Sequence, residues 1–183
     1  MVGPMRTPED APTDPDKLIR LGTIASVDLA GGRAVVKLDD GVLSPPLRWI
    51  EARAGQTRTW SPPSQGEQVV LLCPAGEISG GIALRGVASD ANPPAGNSLT
   101  EILGQYADGA VLSYDPVGHA LTFALPAGAT LAITAPGGTT ITGDLHCTGT
   151  ITADTDVIAA GISAKGHRHG GVQAGAATTA GPQ

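Results

Sequence analysis

From Leu121 to Ile151 every large apolar residue stands at an odd position: Leu121, Phe123, Leu125, Leu131, Ile133, Ile141, Leu145, Cys147 and Ile151. No Leu, Ile, Val or Phe occupies an even position between 120 and 156, where threonine recurs instead, at 122, 130, 134, 140, 142, 148, 150 and 152. Alternation with a period of two is the signature of extended chain with one dry and one wet face, and β-branched threonine suits the wet one. Val157 keeps the phase and Ile158 is the first break. Ordinary hairpins lose phase at their turns, so a phase kept through Pro126-Ala127-Gly128 and Pro136-Gly137-Gly138 predicts bends in one winding path. With only about ten modest apolar side chains, such a stretch is too small to bury a core of its own. The dry face is expected to meet copies of itself, three chains wound about one axis with every sheet edge closed. A monomeric β-solenoid is the alternative. A left-handed hexapeptide solenoid would repeat an aliphatic residue every sixth position, a period that the spacing from Ile133 to Ile141, Leu145 and Ile151 does not hold.

The chain ahead of this region reads as a series of short strands. Leu18 to Asp28 is β-rich, Ala30-Gly31-Gly32 is a turn, and Arg33 to Asp39 is a second strand followed by Asp40-Gly41. Leu43 to Ile50 can be a third strand only at an edge or a bulge, because Pro45 and Pro46 lack N–H donors. A Thr/Ser/Pro-rich loop covers 52–66, Glu67 to Cys73 is a strongly apolar strand, and Gly76 to Gly80 turns it into 81–87. Five strands in this length predict a small barrel of the OB type, and an SH3-like barrel would satisfy the same count.

Composition and charge sharpen the division. The 183 residues include 26 glycines and 15 prolines, nearly twice the roughly 12% of an average soluble protein, which excludes a helical bundle. Hydrophobic residues at 41% and charged ones at 15% exclude a disordered chain. Of 28 charged residues, 22 lie in the first 108, and all four histidines follow. We expect an N-terminal arm at 1–17, an OB-fold domain at 18–90, a linker at 91–108, a triple-stranded β-helix at 109–165 and a tip at 166–183. The net charge of −6 and the absence of any basic run exclude non-specific nucleic-acid binding, so an OB barrel here is expected to dock proteins. No apolar stretch reaches the eighteen or so residues of a membrane span, and the proline-rich, acidic start lacks the basic and apolar regions of a signal peptide, so synthesis is expected in the cytoplasm. Cys73 and Cys147 lie far apart without CxxC spacing and read as buried small apolar residues.

One pair of residues carries candidate chemistry. In Gly166-His167-Arg168-His169-Gly170-Gly171, two imidazoles two residues apart point to the same side of an extended chain. Alone they are an exposed polar turn. Three copies on an axis would present six imidazoles, the number an octahedral ion takes, and imidazole suits Fe, Ni, Cu or Zn equally. His146 stands in the wet phase, His119 falls in a turn, and neither has a spacing partner for catalysis. Asp144, Asp154 and Asp156 could offer oxygens to calcium, but turn aspartates bonding their own backbone are the commoner case.

The opening LIRLGTIASVD, the barrel-sized first part, the Thr/Gly/Ala-rich β region and the ending GHRHGGVQAGAATTAGPQ resemble baseplate assembly protein V, the central spike of contractile-tail phages, with relatives in R-type tailocins. The resemblance covers roughly residues 18–183, and the HxH with its Gly/Thr-rich tail is the most specific part. It implies a homotrimer with an N-terminal OB-fold domain, an intertwined triple-stranded β-helix and a pointed tip, in which His167 and His169 of three chains bind one iron on the three-fold axis. It implies partners in the baseplate hub and tail tube, and passage through the outer membrane of a Gram-negative cell when the sheath contracts. Calcium or chloride ions inside the β-helix belong to the family but match no residue here. The resemblance assigns no role to Arg168, between the two histidines, or to the proline-rich arm before Leu18. An enzyme built on a trimeric β-helix and a receptor-binding tail module are the competing readings. The first needs turnover on peptidoglycan or acyl-CoA, and the second needs saturable, strain-specific binding to cells.

Overall fold

The computed structural model of the chain describes residues 14–168, 170, 171 and 175, and it divides into two units, Met1–Thr130 and Leu131–Gln183. The described residues form strands joined by turns and three short 3-10 segments. β1 (Ile19–Asp28) and β2 (Arg33–Leu38) pair antiparallel across a turn in which Asp28 accepts the Gly31 N–H at 3.1 Å and Gly32 takes a φ of +58°. The other edge of β1 pairs with β4 (Gln68–Leu72), and β4 pairs with β5 (Ile82–Val87). β3 (Arg48–Trp49) lies parallel to β5, and the residue before it exchanges two backbone bonds with β2, Ala34 N to Leu47 O at 2.9 Å and Leu47 N to Ala34 O at 2.8 Å. The strands therefore close in the order β1-β2-β3-β5-β4-β1. A closed five-stranded ring with β3 and β5 as its parallel pair is the OB connectivity, which separates it from the SH3-like alternative.

Period two decides what enters the barrel. Ala34, Val36 and Leu38 point inward from β2, Val69 and Leu71 from β4, with Cys73 just beyond, and they meet Ile24, Leu47, Trp49 and Ala83. Gly22 sits where β1 crosses β2 most closely. A Cβ there would lie 2.5 Å from Val36 Cγ1 and 2.9 Å from the Lys37 carbonyl oxygen, so no larger residue fits. Cys73 is buried as expected, and burial pushes its thiol up against the opposing influence of Arg20, whereas Cys147 is exposed in the single chain.

The third strand is shorter than the sequence suggests. The expected strand from Leu43 to Ile50 is reduced to Arg48–Trp49 plus isolated bridges at Leu43 and Leu47. The two prolines cannot donate to β2, and Ser44 replaces the missing ladder. Its N–H donates to Val36 O at 2.8 Å, its hydroxyl oxygen accepts Val36 N–H at 2.9 Å, and the same hydroxyl donates to Pro45 O at 2.8 Å. Ser44 is thus a buried polar residue with its donor and acceptor both used. The long loop after β3 is pinned in the same manner, by side chains. Glu51 accepts from Trp49 Nε1 at 2.8 Å, the Ser61 N–H at 2.9 Å and the Thr59 hydroxyl at 2.9 Å, while Arg85 holds the Ile50 carbonyl at 2.8 Å and the carbonyl of Ser61.

Beyond the barrel, β6 (Ile102–Gln105), β7 (Val111–Asp115) and β8 (Ala120–Ala124) form a three-stranded antiparallel meander. β6 lies inside the stretch expected to be a linker over 91–108. The Pro, Gly and Asn residues before it give that stretch a linker's composition, yet β7 has two hydrogen-bonding edges and Ile102–Gln105 supplies one of them. The boundary between the two units falls near residue 130, later than the expected 108. Hydrogen-bonded turns close at Pro126–Ala129 (3.0 Å) and Ala135–Gly138 (2.8 Å), at the two bends expected from the unbroken phase. A small hairpin of β9 (Ile158–Ala159) and β10 (Ile162–Ser163) follows, starting where the apolar phase breaks.

Replacing Ser44 by Ala leaves the Val36 N–H buried without an acceptor, a loss worth about 1–3 kcal/mol. Both tryptophans lie in or beside the barrel, so their fluorescence in urea is expected to report an earlier midpoint for Ser44→Ala, with the slope unchanged.

Candidate functional site

The β6–β8 sheet has one face built almost wholly of apolar residues. The register aligns Ile102, Tyr114 and Leu121 in one row and Gly104, Leu112 and Phe123 in the next, all on the same side. Ile102 is 76% exposed and Leu121 65%, so none of the described residues covers this face. The odd-phase row continues from it along the sequence. Among its members Ile141 is 59% exposed and Ile133 71%, with Leu131, Leu145 and Ile151 between them. Backbone groups share the same condition: among the described residues no backbone to backbone hydrogen bond involves residues 139–156. A solenoid would pair these groups with its own next coil. What stands here is extended chain whose dry face and strand edges have no partner among the described residues of one copy.

The C-terminal hairpin is organised locally. Asp156 Oδ1 accepts the Val157 N–H at 2.8 Å and the Lys165 N–H at 3.1 Å, bridging the two ends of the β9–β10 hairpin. A hydrogen bond from Ser163, with those from the Lys165 and Val157 backbone, holds the Asp156 carboxyl below the usual aspartate range. This is the turn-aspartate role, met within one chain. Ala160 and Gly161 take φ values of +49° and +83° at the hairpin's tip, and the Ser163 hydroxyl accepts the Gly166 N–H at 2.8 Å. That closure delivers His167. Its Nδ1 lies 3.1 Å from Ser163 O and 3.2 Å from Ala164 O. Both of these neighbours are carbonyl oxygens, which only accept, so Nδ1 is the nitrogen that donates to them. His169, the second residue of the expected pair, lies outside the described residues. Among the described residues no three His, Cys, Asp or Glu side chains converge as a metal site.

Comparison with known proteins meets this geometry at both ends. Residues 20–87 match the family described as the type VI secretion system and phage-baseplate injector OB domain, and residues 161–183 match the GpV apex motif. The chain is also 38% identical over 125 residues to the spike protein of Escherichia phage P2, an alignment covering 68% of this chain and 58% of that relative. The chain belongs to the baseplate assembly protein V family. It spans a little over half the length of the P2 spike protein. The injector-domain match coincides with the ring from β1 to β5, and the apex match begins at Gly161, inside the hairpin that presents His167.

The other residues singled out in this baseplate V chain stay separate. His119 sits in the β7–β8 turn at a φ of +52°, next to the Asp115 carboxylate that accepts the Val117 N–H at 2.9 Å. His146, Asp144 and Asp154 are exposed, with no hydrogen bond or ion pair of their side chains among the described residues. Sequence reasoning missed the organising roles of Ser163 and Glu51. Ser163 acts through backbone groups three and four residues away, a spacing with no compositional mark. The partner of Glu51, Arg85, stands far along the chain, where only the folded barrel brings it within 3.5 Å.

An aspartate held low stabilises its hairpin above the ordinary aspartate range and loses that effect as pH falls through the lowered value. The Val157 and Lys165 amide resonances are expected to titrate together with a midpoint below that of a free aspartate. In Asp156→Asn that transition should vanish and Lys165 should exchange its amide proton several-fold faster. Titration at the free value would remove the clamp.

Proposed function

We propose that this chain is the central spike, or tail tip, of a contractile injection particle and works mechanically, without catalysis. In this reading it is a homotrimer. The apolar faces of β6–β8 and of the odd-phase row meet around a three-fold axis, and the strand edges left open in one copy pair with its neighbours as a triple-stranded β-helix over about 109–165. The single observation that carries this is the uncovered dry face, continuous in phase from Leu121 to Val157 and too exposed for an isolated chain in water. Membership of the baseplate V family and the kinship with a phage spike protein support the same conclusion.

The roles of the parts follow from the family resemblance. The OB barrels cap the tail tube under the baseplate hub, and the C-terminal hairpins form a point driven through the bacterial outer membrane when the sheath contracts. The particle is a phage or a tailocin, and the chain, made in the bacterial cytoplasm, ends in its baseplate. We assign His167 to an axial metal, its ring oriented by the Ser163 and Ala164 carbonyls at Nδ1. With His169, three chains would supply six imidazoles to one iron, and the ion would join three chain ends at the point of highest load. No residue here is assigned to calcium or chloride.

Light scattering with elemental analysis of an untagged preparation tests both parts. A trimer holding one iron per three chains is expected, and a metal-free monomer would defeat the reading. His167→Ala with His169→Ala is expected to lose the iron and fray the tip while the trimer persists, whereas a fall to monomers would make the ion an assembly nucleus.

Phase supplies a second test. Leu131→Asp with Ile133→Asp puts carboxylates on the dry face and is expected to dissociate the trimer. Thr130→Asp with Thr134→Asp, on the wet face, is expected to leave its mass unchanged. Equal effects of the two pairs would show that the odd-phase row is not the contact between copies.

A further inference from the structure

A cavity of about 350 Å³ opens beside β3 and the loop that follows it, lined by Arg48, Arg53, Arg58, Trp49 and Trp60, with Glu51 at its wall. Three arginines lining one cavity are unexpected in a chain of net charge −6. Arg20 is paired with Asp40 and Arg85 with Glu51, but the side chains of Arg48, Arg53 and Arg58 have no ion pair or hydrogen bond among the described residues. Glu51 does not neutralise them. Its carboxylate already accepts from Trp49, Thr59 and Ser61, and its ion-pair partner is Arg85.

The rim is held in place. Ala54 and Arg58 face each other in an antiparallel bridge, the Thr59 N–H donates to Arg53 O at 3.0 Å, and the Arg53 N–H donates to Thr59 Oγ1 at 3.2 Å. Glu51 and Arg85 then tie this small loop to β3 and β5. Trp60 leans on Trp49 at 5.6 Å between ring centroids and 57° between planes, and is 61% exposed, so one aromatic wall of the cavity faces solvent. Clustered like charges repel, and a rigid loop that keeps them together without a counterion is prepared for an external anion. Guanidinium forks match carboxylates two hydrogen bonds at a time, and an open indole accepts proline or aliphatic side chains.

We propose that this cavity binds an acidic, extended peptide segment of a partner protein, whose carboxylates take Arg48, Arg53 and Arg58 while an intervening proline or aliphatic residue packs on Trp60. The site uses barrel residues alone and does not depend on the trimer or on the tip.

The test uses the full chain and a fluorescein-labelled peptide of repeated Glu-Glu-Pro units, with a Gln-Gln-Pro peptide as control. Saturable binding of the Glu peptide, weakened by salt and accompanied by a change in tryptophan emission, is expected. Arg53→Ala with Arg58→Ala should weaken it at least about tenfold, as loss of charge-assisted hydrogen bonds requires, with the urea midpoint unaltered. Lys37→Ala, which removes a charge elsewhere on the barrel, should change it less than about twofold. Equal affinity for the Gln peptide, no binding of either, or equal losses in the Lys37 and arginine variants would overturn the proposal. So would tighter binding of a thymidine oligonucleotide or of anionic vesicles, or binding that emerges only when residues 1–13 are deleted.

Discussion

The dominant constraint is an apolar surface that a single copy has no means of covering. Each aliphatic side chain taken out of water contributes about 1.5–3 kcal/mol, and the odd-phase row from Leu121 to Val157 withholds that contribution as long as the chain is alone. Among the described residues the stretch 139–156 also makes no backbone-to-backbone hydrogen bond. Both deficits have one remedy, since a neighbour that supplies a strand edge also supplies a face. On the proposed reading the trimer is therefore the folding unit of this half of the chain, and its stability is inseparable from association.

The barrel obeys the opposite rule. Its ring closes within one copy, its core residues are buried, and its irregular stretch is repaired by its own side chains. Ser44 stands in for a strand interrupted by two prolines, and Glu51 with Arg85 turns a Thr/Ser/Pro-rich loop into a fixed wall. A domain that is complete alone can present a prepared surface to something else. On the proposed reading one chain joins a self-sufficient docking domain to a shaft that exists only in company, and this difference in dependence accounts for the fall in charge density along the sequence. A monomeric barrel keeps charged residues for its wet surface. A shaft whose strands are shared among chains needs only threonine on the outside and aliphatic residues within.

Much of this was legible in the residues themselves. The inward positions of β2 and β4 follow from simple alternation, and the two bends at Pro126 and Pro136 follow from a phase that survives them. The family was legible in the HxH and the tail after it. What escaped depended on partners remote in sequence. β6 was hidden because Ile102–Gln105 has a strand's composition for only four residues, behind a run rich in proline and glycine. Its strand character comes from the free edge of β7. The third strand shrank because a serine hydroxyl could satisfy Val36 as well as a backbone group could, a substitution that no pattern of hydrophobicity records.

The tip combines the two modes. Local contacts place His167: Asp156 bridges the ends of one hairpin, Ser163 closes the next turn, and two backbone carbonyls face the imidazole Nδ1. None of those contacts requires a second chain. The hairpin is closed without an ion, so on the proposed reading the ion is not needed to shape it. Its contribution is to connect. On that reading three chain ends become one point, while the apolar shaft behind them assembles on its own account. Separating these tasks suits a device loaded along its axis, because the shaft resists splaying through buried area distributed over its length and the tip resists it at a single place where no area is left to bury.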